Sequence, residues 1–263
     1  MNRRKFMNWA GAAALGLAAA GGAVYTGRRI GDAMLYSTPA NAALRDFPEQ
    51  MPGASRLEKY PNRGARYCLV HIRQAHTTGN DTEEQLAQIR EVQEDVYSIL
   101  SFLCDKKGLR EVYVESEAGG VSLTQAMEDL ESTNAELRKL LGEDSRQVDK
   151  DMAGKRILRG GAYKLRSEGK LKIKAAETLE GNMMPLFLGG KETKEGVKAI
   201  TGKREDILLQ LIDKDAPALA VTVYGGGHSW ADNIEEWNSV KPEAKFSPIE
   251  ITPKLSINTS RNV

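Results

Sequence analysis

Between residues 66 and 251, short apolar runs alternate with longer stretches of helical periodicity, and that alternation leaves the chain few architectures. The run over 66–72, Arg-Tyr-Cys-Leu-Val-His-Ile, is rich in strand formers and nearly continuously apolar, as a parallel strand covered on both faces is. Residues 111–115, 171–175, 218–224 and 246–251 read as further strands, 218–224 most clearly. Thr82 with Gln85 three residues later has the form of a capping box. Leu86, Ile89, Val92, Val96, Ile99, Leu100 and Leu103 then recur at spacings of three and four, one face of a helix. Lys106 and Lys107 suit its C-terminus, and Gly108 breaks it. Helices are also predicted over 160–168, opened by Gly160 and Gly161 and closed by Gly169, over 191–214, ended by Pro217, and over 232–237. On 191–214 the apolar positions are Val197, Ile200, Ile207, Leu208, Leu211 and Ile212. Such alternation predicts an α/β fold: one domain with a mostly parallel sheet, helices on both faces and right-handed crossovers. Ligands of such sheets bind outside the carboxyl ends of the strands.

The flanks read differently. Residues 31–61 hold Pro39, Pro48, Pro52 and Pro61 without sustained periodicity and are expected to be a linker over the surface of an α/β domain spanning 62–253. Residues 120–150 are highly charged, with Leu130, Leu137, Leu140 and Leu141 at helical spacing, and predict an exposed helical excursion. The tail over 254–263 is polar and expected to be loose. Arg3, Arg4 and Lys5 precede an apolar stretch of about sixteen residues, Trp9 to Val24, so residues 1–30 read as an export signal or an N-terminal anchor. The paired arginines followed by Lys-Phe-Met resemble a twin-arginine signal, which implies the twin-arginine export machinery as a partner. An uncleaved anchor is the alternative, with membrane association through that segment, although the stretch is short of the roughly twenty residues that span comfortably. The five basic residues of 1–30 leave 32 basic against 36 acidic residues in the body. No basic stripe remains to hold a phosphate backbone, so no nucleic-acid partner is expected. Cys68 and Cys104 lack zinc spacing. Two buried thiols are the plainer reading, although an oxidising compartment would permit a bridge.

The chain has three histidines. His76 follows the first strand, His228 follows the strand ending at Tyr224, and Glu115 closes the second strand, so all three fall at the predicted carboxyl edge of the sheet. Gly225, Gly226 and Gly227 precede His228, and such a turn allows close backbone approach and exposes amides to an anion. His71 lies inside the first strand and reads as a hydrogen-bonded core histidine. Arg73 and Gln74, nearer the strand end, are candidates to contact an anion. Ser229 lacks a nucleophile-elbow pattern, and Met183-Met184 reads as packing.

Arg73-Gln74-Ala75-His76, Gln85 and Val112-Tyr113-Val114-Glu115 resemble the opening of the ChaN and erythromycin-esterase group. The later segments resemble the related TraB/TIKI group: Gly161-Ala162-Tyr163-Lys164-Leu165, Glu177-Thr178, Arg204-Glu205-Asp206 and Val223-Tyr224-Gly225-Gly226-Gly227-His228. The resemblance covers about residues 66–230. It departs at the first motif, where the family carries Gly, often followed by Glu, and this chain carries Arg73 and Gln74. Its members include metal-dependent proteases, macrolide esterases and a haem-binding lipoprotein, so fold alone does not fix the reaction.

The resemblance and the residues together imply three functions. The first is an exported hydrolase, periplasmic or on the outer side of the membrane, acting on a small-molecule or peptide substrate. Its catalytic residues would be His76, Glu115, Glu177, Arg204 and His228. His76, Glu115 and His228 would hold one divalent Mn, Co or Zn ion, or His76 would act as a base without metal. Gly225, Gly226, Gly227 and Tyr224 would line the ligand site. The second is a haem or metal binder without turnover, with Tyr224, His76 or His228 on the iron. The third is a non-catalytic exported interaction module.

Overall fold

The computed structural model describes residues 38–75, 81–118, 160–177, 194–217, 219–226, 228 and 230–255. The expected export segment, the helical excursion over 120–150, Met183-Met184, Ser229 and all but the first residues of the tail lie outside the described residues.

Six strands form one sheet: β1 (Ala54–Lys59), β2 (Tyr67–Gln74), β3 (Glu111–Ala118), β4 (Lys172–Glu177), β5 (Leu219–Gly225) and β6 (Phe246–Pro253). Their order is β1-β6-β2-β5-β3-β4. Every pairing is parallel except β1 with β6. The helices are α1 (Pro39–Arg45), α2 (Glu83–Lys107), α3 (Gly160–Ser167), α4 (Lys194–Asp215) and α5 (Trp230–Val240). The chain is thus an α/β domain with a mostly parallel sheet. Among the described residues no helix is long and apolar enough to cross a membrane.

Alternation along β2 builds a separate core on each face. Cys68, Val70 and Ile72 enter one core with Leu44 of α1, Ile89, Val96 and Leu100 of α2 and Leu165 of α3. Tyr67 and Leu69 enter the other with Leu208, Leu209 and Ile212 of α4 and Ile234 and Trp237 of α5. Both faces of the central strands are therefore buried, which is why those strands read as apolar runs rather than as alternating ones. The capping box of α2 forms in both directions: Gln85 N donates to Thr82 Oγ1 at 3.2 Å, and Thr82 N donates to Gln85 Oε1 at 2.8 Å. Its C-terminus closes on Gly108 at φ 66°, a left-handed conformation that disfavours a Cβ. Cys68 and Cys104 are both buried and free, and burial pushes the Cys68 thiol up to about 12.

The linker expected over 31–61 instead carries a helix and a strand within its described residues, 38–61. Pro39 stands at the start of α1, where its missing N–H costs nothing, and Thr38 caps the helix by accepting from Asn41 N at 3.3 Å. Leu44, Phe47 and Met51 are buried in the first core. Asn41, fully buried, donates from Nδ2 to Asn62 O at 2.7 Å and accepts from Ser247 Oγ at 2.6 Å, which fastens α1 to β6. β1 pairs on one side only and stays largely half-exposed, so Ala-Ser-Arg-Leu-Glu-Lys needs no apolar run.

Two tyrosines fix the height of α4. Tyr67 Oη donates to Asp213 Oδ1 at 2.9 Å, and Tyr113 Oη donates to Asp215 Oδ2 at 2.7 Å. The helix C-terminus is held near the amino ends of β2 and β3. Residues 204 and 205, roughly 15 Å earlier along the helix at 1.5 Å per residue, then reach the carboxyl edge. Asn233 Nδ2 of α5 donates to Gly202 O and to Asp206 Oδ1, each at 2.9 Å, and locks the second helix against the first at that height.

Candidate functional site

The carboxyl edge of the sheet on the α4–α5 side holds four ionisable groups in mutual contact. Register brings the first of them there. Val114 pairs with Val223, so Glu115, the next residue of β3, stands beside Tyr224 of β5, whose partner on the other side is Arg73 of β2. Glu115 is 6% exposed. Its Oε2 accepts from Gly225 N at 2.6 Å, and its Oε1 accepts from Arg204 Nη2 at 2.8 Å. The backbone bond uses the last peptide of β5, so the strand end and the carboxylate define each other's position.

His228 follows the glycine turn. Its N–H donates to Gly225 O at 3.1 Å, while Gly226 N donates to Gln74 O at 2.8 Å. The imidazole Nδ1 lies 2.8 Å from Glu205 Oε1, and Nε2 lies 3.7 Å from Glu115 Oε1, within ion-pair range and long for a hydrogen bond. A carboxylate accepts, so Nδ1 carries a proton and Nε2 is the end that faces Glu115. The Tyr224 ring meets the imidazole edge-on at 4.4 Å and 87°, and meets Trp230 at 5.4 Å. Arg204 Cζ lies 5.7 Å from the centre of the same tyrosine ring.

Burial works against the imidazolium of His228, but hydrogen bonding and charge from Glu115 and Glu205 outweigh it and hold its pKa above the ordinary histidine value. Burial raises Glu205, and the imidazolium beside it offsets part of that. With His228 protonated, the two carboxylates, the guanidinium and the imidazolium sum to zero charge. A neutral set of this kind can exist away from water where a single charge could not.

Of the residues singled out from the sequence, Glu115, Arg204, His228, Tyr224, Gly225 and Gly226 come together here. His76, Gly227 and the side chain of Glu177 lie outside the described residues. His71 is a hydrogen-bonded core histidine, as its place inside the strand predicts: Nε2–H donates to Tyr224 O at 3.3 Å, and burial pushes its pKa down to about 3. Arg73 ion-pairs with Glu250 at 2.8 Å.

Sequence reasoning missed Glu205 as a site residue. A signal was present. Among the described side chains of α4 the buried positions are 205, 208, 209 and 212, whereas Ile207 and Leu211, expected on the core face, are only partly buried. A carboxylate standing at a core position of a helical stripe is out of place unless something pairs with it. Gln93 is the same kind of signal on α2, where it is 3% exposed among Ile89, Val92 and Val96.

Two of the three residues expected to hold a divalent ion meet, Glu115 and His228. A carboxylate on Nδ1 is how metal-binding imidazoles are often oriented. Glu115 Oε1, however, already accepts from Arg204, whose fixed positive charge opposes a cation at that oxygen. Among the described residues no three His, Cys, Asp or Glu side chains are grouped to hold a metal. The haem expectation meets a fully buried Tyr224 and an imidazole whose two nitrogens both face carboxylates.

Compared with known proteins, the chain matches no family model, no curated protein and no solved structure.

Proposed function

We propose that the protein is an exported hydrolase of ester or peptide bonds whose acid–base centre is the Glu205–His228 dyad. One observation carries this reading: a buried imidazole just past the carboxyl end of β5, with Nδ1 held 2.8 Å from Glu205 and Nε2 3.7 Å from Glu115. A carboxylate that fixes the tautomer and stabilises the imidazolium is the orienting half of a general-base pair. The N-terminal Arg3-Arg4-Lys5 and the apolar stretch behind it support export.

Neutral His228 takes a proton from a water molecule at Nε2 while the water oxygen attacks the substrate carbonyl carbon. The carbonyl π pair moves to oxygen, and Arg204 brings positive charge to the cluster in which that oxyanion forms. Collapse of the intermediate breaks the bond to the leaving alcohol or amine, which takes the proton from Nε2. Glu115 holds Arg204 and the Gly225 peptide in place and stabilises the protonated imidazole. Proton transfer of this kind is worth roughly 100- to 10,000-fold in rate.

The test is hydrolysis of a panel of p-nitrophenyl esters and peptides by the full chain. The expected result is loss of activity in His228→Ala with little change in melting temperature. In the wild type, kcat/KM should rise with pH through a value above 6.5, the ordinary histidine pKa. In Glu115→Gln that value should fall, because one of the two carboxylates that raise it is gone. Unchanged turnover in His228→Ala sinks the dyad. Activity that disappears with a chelator and returns with Mn, Co or Zn would replace this reading with the metal-dependent one.

A further inference from the structure

We propose that Gln74 is a substrate-binding residue whose side-chain amide nitrogen donates to the carbonyl oxygen of the bound ester or peptide, the oxygen that becomes the oxyanion. This rests on the hydrolase reading above and adds to it a second donor from the opposite side of the sheet edge.

The orientation of the Gln74 amide is set two residues away. Gly161 N, at the start of α3, can only donate, and it donates to Gln93 Oε1 at 3.2 Å. The Gln93 amide is thereby fixed with its oxygen toward α3 and its NH2 group toward β2. That NH2 group donates to Gln74 Oε1 at 3.4 Å. Turning the Gln74 amide over would set two NH2 groups against each other in a buried place, where an unmet donor is costly. The Gln74 NH2 group therefore points away from Gln93.

Glycine makes this relay fit. A Cβ on Gly161 would stand 2.7 Å from Val96 Cγ1 and 3.0 Å from Gln93 O, and one on Gly160 would stand 3.0 Å from Gln93 Cβ. Only without those atoms does the start of α3 come close enough for its amide to reach Gln93.

Gln74 is 7% exposed. Among the described residues no acceptor takes a hydrogen bond from its Nε2. Among the described residues the buried side-chain polar atoms without a partner are His71 Nδ1, Arg73 Nε and Trp230 Nε1, and Gln74 Nε2 is not one of them. The Gln74 Nε2 is a held donor on a side chain that is 7% exposed.

Its place in the sheet puts it at the site. Gln74 is the last residue of β2 and pairs with Gly225. Gly225 gives its N–H to Glu115 and its carbonyl to His228 N, and the next peptide gives its N–H to Gln74 O. The Gln74 side chain rises on the α2–α3 side of that edge and the Glu205–His228 dyad on the α4–α5 side. A carbonyl lying across the strand ends would meet the base from one side and the amide from the other.

The probe is methylphosphonate, a tetrahedral anion, titrated into the full chain while the side-chain amide resonances of Gln74 are followed by NMR. The Gln74 amide protons are expected to shift on binding. The informative variant is Gln74→Glu, which keeps an oxygen for Gln93 and removes the donor; Gln74→Leu is the second. Each should weaken methylphosphonate binding at least about tenfold, and Gln74→Glu should lower kcat on p-nitrophenyl acetate about 100-fold with KM little changed. Because the new carboxylate of Gln74→Glu is buried, that variant's melting temperature should also fall, so the separating readout is kinetic: a loss in kcat with KM unchanged in both variants, which a purely structural role would not produce. Gln74 resonances unmoved by saturating methylphosphonate, no binding of methylphosphonate at all, or Gln74→Glu binding within twofold of wild type would each overturn the proposal. A wild type that binds methylphosphonate through Gln74 but hydrolyses nothing in the panel refutes the hydrolase reading and leaves the oxygen-binding role of Gln74 standing.

Discussion

Replacing Arg204 with Met tests whether the buried charges depend on each other as the geometry requires. Arg204 Nη2 lies 2.8 Å from Glu115 Oε1, with the two side chains 17% and 8% exposed. Removing one partner of a fully buried pair costs about 3–5 kcal/mol, because the other charge is left uncompensated. Partial exposure of Arg204, with the Gly225 amide and His228 still on Glu115, lowers the expectation to about 2–4 kcal/mol. That is a large part of the roughly 5–15 kcal/mol that holds an ordinary domain. Glu115→Gln removes the charge while keeping an oxygen for Gly225 N. The double variant Arg204→Met/Glu115→Gln buries neither charge and should lose less than the two single losses together, with a coupling of about 2 kcal/mol. The assay is equilibrium unfolding in urea, which leaves electrostatics unscreened where guanidinium salt would not. Additive losses, within about 0.5 kcal/mol, would refute the reasoning, since they would mean that the two side chains do not share one desolvated contact.

His71 predicts an acid-sensitive fold. Its folded-state pKa is pushed down to about 3 by burial, against an ordinary 6.5. The unfolded chain therefore takes up a proton below pH 6.5 that the folded chain refuses, so this contribution is intact above pH 6.5 and is lost as pH falls toward 3. The slope it adds is at most about 1.4 kcal/mol per pH unit. In His71→Asn, which keeps a donor near Tyr224 O and does not titrate, unfolding free energy measured from pH 7 to pH 4 should decline less steeply; an identical decline would remove His71 from the account. Gly161→Ala places a methyl 2.7 Å from Val96 Cγ1 and 3.0 Å from a backbone oxygen. It should cost about 1–3 kcal/mol, read as a lower melting temperature, and Val96→Ala should recover only part of it because the backbone contact remains. A Gly161→Ala protein as stable as wild type would show that α3 does not pack as closely as drawn.

The parts of the fold visible in the sequence are those where local chemistry and tertiary role coincide. α2 announces itself because Thr82 and Gln85 cap it, an apolar stripe runs its length and Gly108 must turn left-handed at its end. β2 and β5 are visible because both of their faces are covered. β1 and α1 were hidden for the opposite reason. β1 is an edge strand held by its antiparallel ladder with β6, and α1 is fastened by Asn41 to residues about 20 and 200 positions away, which no local pattern reports. The site divides in the same way. Glu115 and His228 are legible from their places at strand ends, and Arg204 only through the resemblance of Arg204-Glu205-Asp206, since it stands in the middle of α4. Glu205 and Gln93 are hard to see in the sequence because helical periodicity is carried by the apolar positions, and a polar residue that interrupts them adds nothing to that pattern.

Those interruptions are where the physics is least consistent with stability as the sole purpose. An apolar side chain at 205 would lengthen the stripe of Leu208, Leu209 and Ile212, and one at 93 would complete that of α2. Buried ionic or amide groups seldom stabilise a domain more than apolar side chains of the same volume do. Here they come as two short chains of contacts, Glu205–His228–Glu115–Arg204 on one face of the sheet and Gly161–Gln93–Gln74 on the other. Both arrays meet the same stretch of backbone: Glu115 accepts from Gly225 N, and the backbone oxygen of Gln74 accepts from Gly226 N. One chain presents a proton acceptor at the strand ends and the other presents a donor. Two polar arrays that oppose core packing and converge with opposite hydrogen-bonding character are what the proposed hydrolysis of a carbonyl would use.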